Sequence, residues 1–175
     1  NTEYTNLPRK ANVTITGCLE NCTHVESQDI GMAPAIRRTS DGEIKGFNVF
    51  VGGKMGSGGF RVASDLNVFV APDNAPALCG EILKLFRDEG ERTSRTRARL
   101  AFLVDDWGVE KFRTTLMERC KMEFLEAGED VRYPNRHTDH LGITPQKQDG
   151  YVCVGLCIPV GRVKSDELVE LARLA

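Results

Sequence analysis

Two adjacent cations, an amide and a pair of thiols fall within sixteen residues, Leu7 to Cys22, reading Leu-Pro-Arg-Lys-Ala-Asn-Val-Thr-Ile-Thr-Gly-Cys-Leu-Glu-Asn-Cys. Pro8 fixes its own φ and disfavours helix at Leu7, so Arg9 and Lys10 are expected to open an extended segment. Asn12, Thr14 and Thr16 alternate with Val13 and Ile15, the period of a half-buried strand. On such a strand Lys10 and Asn12 share a face and could present a charge and an amide to one small anion, while Arg9 points the other way. A solvated edge strand with a surface Arg-Lys pair fits the same residues.

Cys18 and Cys22 share a face if their segment turns helical, and His24 follows closely. Two such thiols are half of a zinc or iron–sulfur site, which wants four ligands. Cys153 and Cys157 repeat the spacing, but in Tyr-Val-Cys-Val-Gly-Leu-Cys-Ile-Pro they read as small hydrophobes of a buried strand. A third cluster is Gly52-Gly53-Lys54-Met55-Gly56-Ser57-Gly58-Gly59, in which five of eight residues are glycine. Such a backbone could approach a flat or anionic ligand closely, or it is a flexible loop. It lacks the closing Gly-Lys-Ser/Thr of a phosphate loop and the helix of a dinucleotide fingerprint.

These groups need a scaffold. Ile30 to Ile36 and Phe47 to Val51 are expected to form a hairpin around Asp41-Gly42, and Asp65 to Val70 a further strand. A helix over Ala75–Glu89 carries Leu78, Ile82, Leu85 and Phe86 on one face and can end at Gly90. A second helix, Thr93 to Trp107, starts among Arg92, Arg95, Arg97 and Arg99 and ends at Asp105 and Asp106, against the helix macrodipole at both ends. That reversal points to an anionic partner or to interdomain ion pairs. A third helix, Val109 to Ala127, stops at Gly128. Residues 129–140 lack periodicity and read as a linker. Beyond it lie a strand over Tyr151 to Ile158, a turn, and a helix from Ser165 that runs to the final residue. The chain lacks an initial methionine and ends inside that helix, so it is expected to be an excised piece of a longer protein.

With 175 residues, 41% of them apolar, the chain can bury a core of about one domain. Its net charge is −2, with 23 basic and 25 acidic residues well mixed, which argues against a nonspecific nucleic-acid or membrane-surface binder. The most apolar run, Tyr151 to Val160, is too short to span a bilayer. Six scattered cysteines suit a reducing compartment with free thiols or cofactor ligands.

Four ordered stretches carry a resemblance: Leu-Pro-Arg-Lys-x-Asn, Gly-Phe-Asn-x-x-Val-Gly-Gly, Arg-Ala-Arg-Leu-x-Phe-Leu-Val-Asp-Asp-Trp-Gly-Val-Glu-Lys-Phe-Arg and Leu-Gly-Ile-Thr-Pro-Gln-Lys-Gln-x-Gly. Together they resemble the assimilatory ferredoxin-dependent nitrite and sulfite reductases over nearly the whole chain. The resemblance implies an α+β fold: a reductase domain over residues 1–128, a linker over 129–140, and the truncated start of a second ferredoxin-like half-domain over 141–175. It implies a first-half piece of an enzyme reducing nitrite to ammonia by six electrons, passed from ferredoxin through a [4Fe-4S] cluster to sirohaem. The implied partners are nitrite, ferredoxin and the rest of the same polypeptide, and the implied compartment is the cytoplasm or, in a plant, the plastid stroma.

By the same resemblance, Arg9, Lys10 and Asn12 are the catalytic candidates, and Arg9 with Gly52, Gly53 and Lys54 the cofactor-binding ones. Family sulfite reductases carry lysine two residues after the motif lysine, whereas nitrite reductases carry asparagine, as at Asn12. Nitrite is therefore the expected substrate and sulfite the runner-up. The family's cluster cysteines lie in the second half, so Cys18 and Cys22 are expected to be vestigial and the piece alone to bind no cofactor and be inactive. A zinc-binding or purely structural domain is the reading from a different class.

Overall fold

The computed structural model describes residues 2–40, 42–56, 59–120, 124–134 and 139–175. It divides into two compact units, Asn1–His137 and Thr138–Ala175.

The first unit is a five-stranded sheet with helices packed on it. Its strands are β1 (Val13–Ile15), β2 (Ile30–Thr39), β3 (Gly42–Val51), β4 (Ser64–Val70) and β5 (Glu129–Asp130). β2 and β3 pair antiparallel from Ile30↔Val51 to Thr39↔Gly42, a longer hairpin than the hydrophobic runs suggest; Asp41 of its turn lies outside the described residues. β4 follows on the far side of β3, and β1 (parallel) and β5 (antiparallel) both pair with the other edge of β2. Glu129 and Asp130, expected at the head of a linker, are thus sheet residues.

Three helices follow: α1 (Ala75–Glu89), α2 (Leu100–Trp107) and α3 (Val109–Cys120). α1 has the expected bounds, with Leu78, Ile82, Leu85 and Phe86 all buried. They meet Ile30 and Met32 of β2, Val49 and Val51 of β3, and Leu66 and Val68 of β4, and the same cluster takes in Leu100, Val104, Phe112 and Leu116. α2 begins seven residues later than expected, at Leu100 rather than Thr93. Its arginines precede it, and Arg92, Arg97 and Arg99 are held by Asn6, Asp106 and Asp29, so they never sit in a first turn opposing the macrodipole. α3 is described to Cys120, and at Leu125 the backbone is already bridged to Phe69, so the helix does not continue to Ala127.

β1 is the largest departure. Its apolar Val13 and Ile15 are exposed, and Thr16 at its end is buried. Alternation defines two faces but not which one is covered, and nothing among the described residues of this unit covers the apolar one.

In the second unit, β6 (Gly142–Pro145) and β7 (Val152–Gly155) form an antiparallel hairpin, followed by a turn at Pro159–Gly161 and α4 (Ser165–Leu174). None of its described residues is buried. Cys153 and Cys157, expected in a buried strand, are exposed, because one hairpin and one helix supply no second layer. No helix among the described residues is long and apolar enough to cross a membrane.

Candidate functional site

Three irregular segments of the first unit meet around a cleft of roughly 490 Å³. Residues 9–10 come from the approach to β1, 54–56 from the loop after β3, and 95–99 from the approach to α2; Phe102 of α2 completes the lining. Five of the nine lining residues, Arg9, Lys10, Lys54, Arg95 and Arg99, are basic, and none is acidic among the described residues. Two arginines here were flagged by their position against the helix dipole, although neither was placed in a site.

Four of the five cations have contacts that fix them. Arg9 Nη1 donates to the Arg95 carbonyl at 2.7 Å. Lys10 Nζ donates to Asn12 Oδ1 at 3.2 Å, so the ammonium and the amide adjoin. Lys54 is only 7% exposed, and its Nζ stands 4.5 Å from the centre of the Phe102 ring, within range of a cation–π attraction. Arg99 sets its guanidinium fork on the buried Asp29, with Nε to Oδ1 at 3.0 Å and Nη2 to Oδ2 at 2.7 Å. Such a site favours an anion with several negative oxygens, because preorganised charges need no rearrangement when it arrives.

Arg9 and Lys10 line the same cleft rather than opposite faces. The chain bends at Pro8 and Arg9 before β1 begins at Val13, so strand alternation does not apply to them.

Gly52 and Gly53 are buried and do not line the cleft. A Cβ at Gly53 would lie 2.4 Å from the carbonyl oxygens of both Glu26 and Gln28, and Gly52 has φ +79. These glycines allow chain to pack on chain; of this loop, Lys54, Met55 and Gly56 line the cleft. Arg61 closes the same loop. Its backbone pairs with that of Lys54 in both directions, at 2.9 and 2.8 Å, and its guanidinium bonds the Gly52 carbonyl at 2.9 Å, Ser64 Oγ at 3.0 Å and Asp105 at 2.6 Å. Sequence reasoning missed both Arg61 and Asp29, since an isolated charge carries no pattern.

The Cys18 and Cys22 sulfurs lie within 4.8 Å of each other, brought together by turns rather than by a helix face. Burial and then the hydrogen bond to Cys18 push the Cys22 thiol above its ordinary pKa. His24 lines a neighbouring cleft with Met55, Phe60 and Val62.

Residues 1–124 match the family model described as the nitrite and sulphite reductase 4Fe-4S domain. The chain is 42% identical over its full length to a ferredoxin–nitrite reductase of Synechococcus elongatus, of which it covers 33%. It is 44% identical, over 97% of its length, to an assimilatory ferredoxin-dependent nitrite reductase of Haloferax mediterranei, covering 31% of that protein. The chain spans about a third of the length of the curated relatives it matches. The solved structure of the Mycobacterium tuberculosis NirA protein superposes with a TM-score of 0.73 at 29% identity, over 85% of this chain and 26% of that one.

Proposed function

Because the chain belongs to the nitrite and sulphite reductase family, we propose that it forms the basic wall of the sirohaem and nitrite site in an assimilatory ferredoxin-dependent nitrite reductase. The observation that carries this reading is the convergence of five basic side chains on one cleft without an acidic residue among the described ones. Sirohaem is a polycarboxylate and nitrite an anion, so the donor set fits both. In this reading the first unit is the sirohaem-site domain, and residues 141–175 open the second ferredoxin-like half-domain.

Arg9 and Arg95 suit the macrocycle carboxylates, because a planar fork can meet each one with two parallel hydrogen bonds, and Arg99, its Nε–Nη2 fork set on Asp29, adds charge and the N–H groups that remain. Lys54 adds a nearly buried charge whose position is set by Phe102. Lys10 is assigned to nitrite. Its ammonium supplies charge and a proton at Nζ, and Asn12 Oδ1, accepting from that nitrogen, holds it in place. Sirohaem, when bound, supplies the iron at which nitrite is reduced, with electrons from ferredoxin through the cluster. Cys18 and Cys22 offer two thiols where a [4Fe-4S] cluster takes four, so the cluster is assigned to cysteines elsewhere in the parent.

The neutral amide beside Lys10 favours a monoanion. Asn12→Lys would add a second ammonium, which benefits a dianion more and should shift the kcat/KM ratio of the full-length enzyme toward sulfite; an unchanged ratio removes this role.

The main test also uses the full-length enzyme. Lys10→Ala should lower turnover by roughly two orders of magnitude with sirohaem content kept, the scale of one positioned acid or electrostatic group. Arg9→Ala should reduce sirohaem occupancy first. If both variants keep full cofactor and lose less than about threefold in kcat/KM, under about 1 kcal/mol, the assignment is wrong.

A further inference from the structure

We propose that Asp29 is the positioning residue of the basic cleft: its buried carboxylate fixes two of the three lining segments relative to one another, and its backbone carbonyl holds the third. Its side chain is 0% exposed, in a sequence position that shows only an acid before a strand. Oδ1 and Oδ2 take the two donors of the Arg99 fork, and Oδ2 also accepts the Asn12 N–H at 2.9 Å. The Asp29 backbone carbonyl accepts the Gly52 N–H at 2.8 Å, and the next residue, Ile30, donates its N–H to the Asn12 carbonyl at 3.1 Å. The segments carrying Arg9 and Lys10, Lys54, and Arg95 and Arg99 therefore all bond to residues 29 and 30.

The physical need is plain. Five like charges around one cleft repel, and none of the three segments belongs to a helix or a named strand that would fix it independently. A buried anion beneath the cleft opposes that repulsion where solvent screens it least. Its own desolvation is offset only if its oxygens are hydrogen-bonded, and three N–H groups donate to them, one to Oδ1 and two to Oδ2. The fork fixes direction as well as distance, so Arg99 can bond Asp29 in only a narrow range of geometries. Asp29 does not line the cleft and touches no ligand in this scheme; its side chain acts through Arg99 and Asn12, and its backbone carbonyl through Gly52.

What occupies the cleft rests on the function proposed above, but the positioning role has a readout of its own. Amide hydrogen exchange would be compared in the 175-residue chain and in its Asp29→Asn and Asp29→Glu variants. Binding of uroporphyrin, a metal-free octacarboxylate macrocycle, would be followed by fluorescence at low and high salt. Asp29→Asn should speed exchange about tenfold or more in two separate segments, residues 9–12 and 95–99, with the Gly52 amide, which bonds the retained backbone carbonyl, and α1 and central β3 unchanged. That is the scale of one lost charge-assisted hydrogen bond. It should also weaken uroporphyrin binding about tenfold and flatten its salt dependence, with Asp29→Glu, which keeps the charge, falling between.

Faster exchange spread evenly over sheet and helices, or confined to the neighbours of position 29, overturns the proposal. So does uroporphyrin binding within threefold of the parent chain. If the parent chain does not bind uroporphyrin while the two-segment response appears, the functional reading falls and the positioning role stands. If neither variant folds, Asp29 supports the core rather than the cleft and the proposal falls.

Discussion

The two units handle apolar residues in opposite ways. In the first, Phe86, Phe112, Ile82 and Leu66 are fully buried between sheet and helices, and the cations are left around a cleft. In the second, Ile143, Tyr151, Val154 and Val160 are each more than half exposed, although the hairpin ladder is complete from Gly142↔Gly155 to Pro145↔Val152. Regular hydrogen bonding therefore forms in both units, whereas a core forms only where a second layer exists. Local pattern is enough for the ladder; burial depends on how much chain is there to close over it.

The sharpest way to break this contrast is amide exchange. Central β2 and β3 amides should be protected by at least roughly a thousandfold, because they open only with the whole unit, while β6 and β7 amides should exchange nearly freely. Comparable protection in both hairpins would end the distinction. Next in size is truncation. Phe86→Ala should lower stability to urea by about 3–5 kcal/mol through lost burial and a residual cavity, against less than about 0.5 kcal/mol for the half-exposed Val154→Ala. Equal costs would show that the second unit has a core after all.

Acid should also separate the units. Burial tends to raise the pKa values of Glu26 and Asp130, but hydrogen bonds from Arg132, and for Glu26 from Asn21, more than offset it and hold both below their ordinary 4.5 and 3.8. A depressed carboxyl contributes stability above its unfolded value and loses it as the pH falls through the folded one. The first unit should weaken progressively below about pH 4.5, and Arg132→Gln should shrink that acid-dependent part; an unchanged acid limb would mean that Arg132 does not hold these two carboxyls. The smallest effect is expected in the second unit, where Arg173 and Glu170 pair with side chains 69% and 64% exposed. Glu170→Gln should change stability by less than about 0.5 kcal/mol, and a larger loss would mean that the pair is not simply solvated.

How much was legible follows the same division between local and tertiary information. The α1 bounds and the β2–β3 pairing could be read because apolar spacing, Pro76 and Gly90 mark them within a few residues. The late start of α2 could not, because Arg92, Arg97 and Arg99 are accommodated by Asn6, Asp106 and Asp29, partners whose proximity only the fold creates. The inverted faces of β1 escaped for a related reason: alternation gives a period, and burial is decided by what packs alongside. Around the cleft, Arg9 and Lys10 stand out in the sequence as adjacent cations opening an extended segment and Lys54 as a cation among glycines, whereas Arg61 and Asp29 acquire their roles from contacts far along the chain.

Gly53 bears on how this chain can diverge. A glycine codon reaches only residues bearing a Cβ by one base change to another amino acid, and here any Cβ would lie 2.4 Å from two backbone oxygens. The neck of the loop is therefore closed to drift, while at its tip a Cβ on Gly56 or Gly59 would meet nothing within 4 Å, leaving only their positive φ as a restraint. Evolution can remodel what this loop shows to solvent without shifting the anchor that sets Lys54, so that variation and a constant charge coexist a few residues apart.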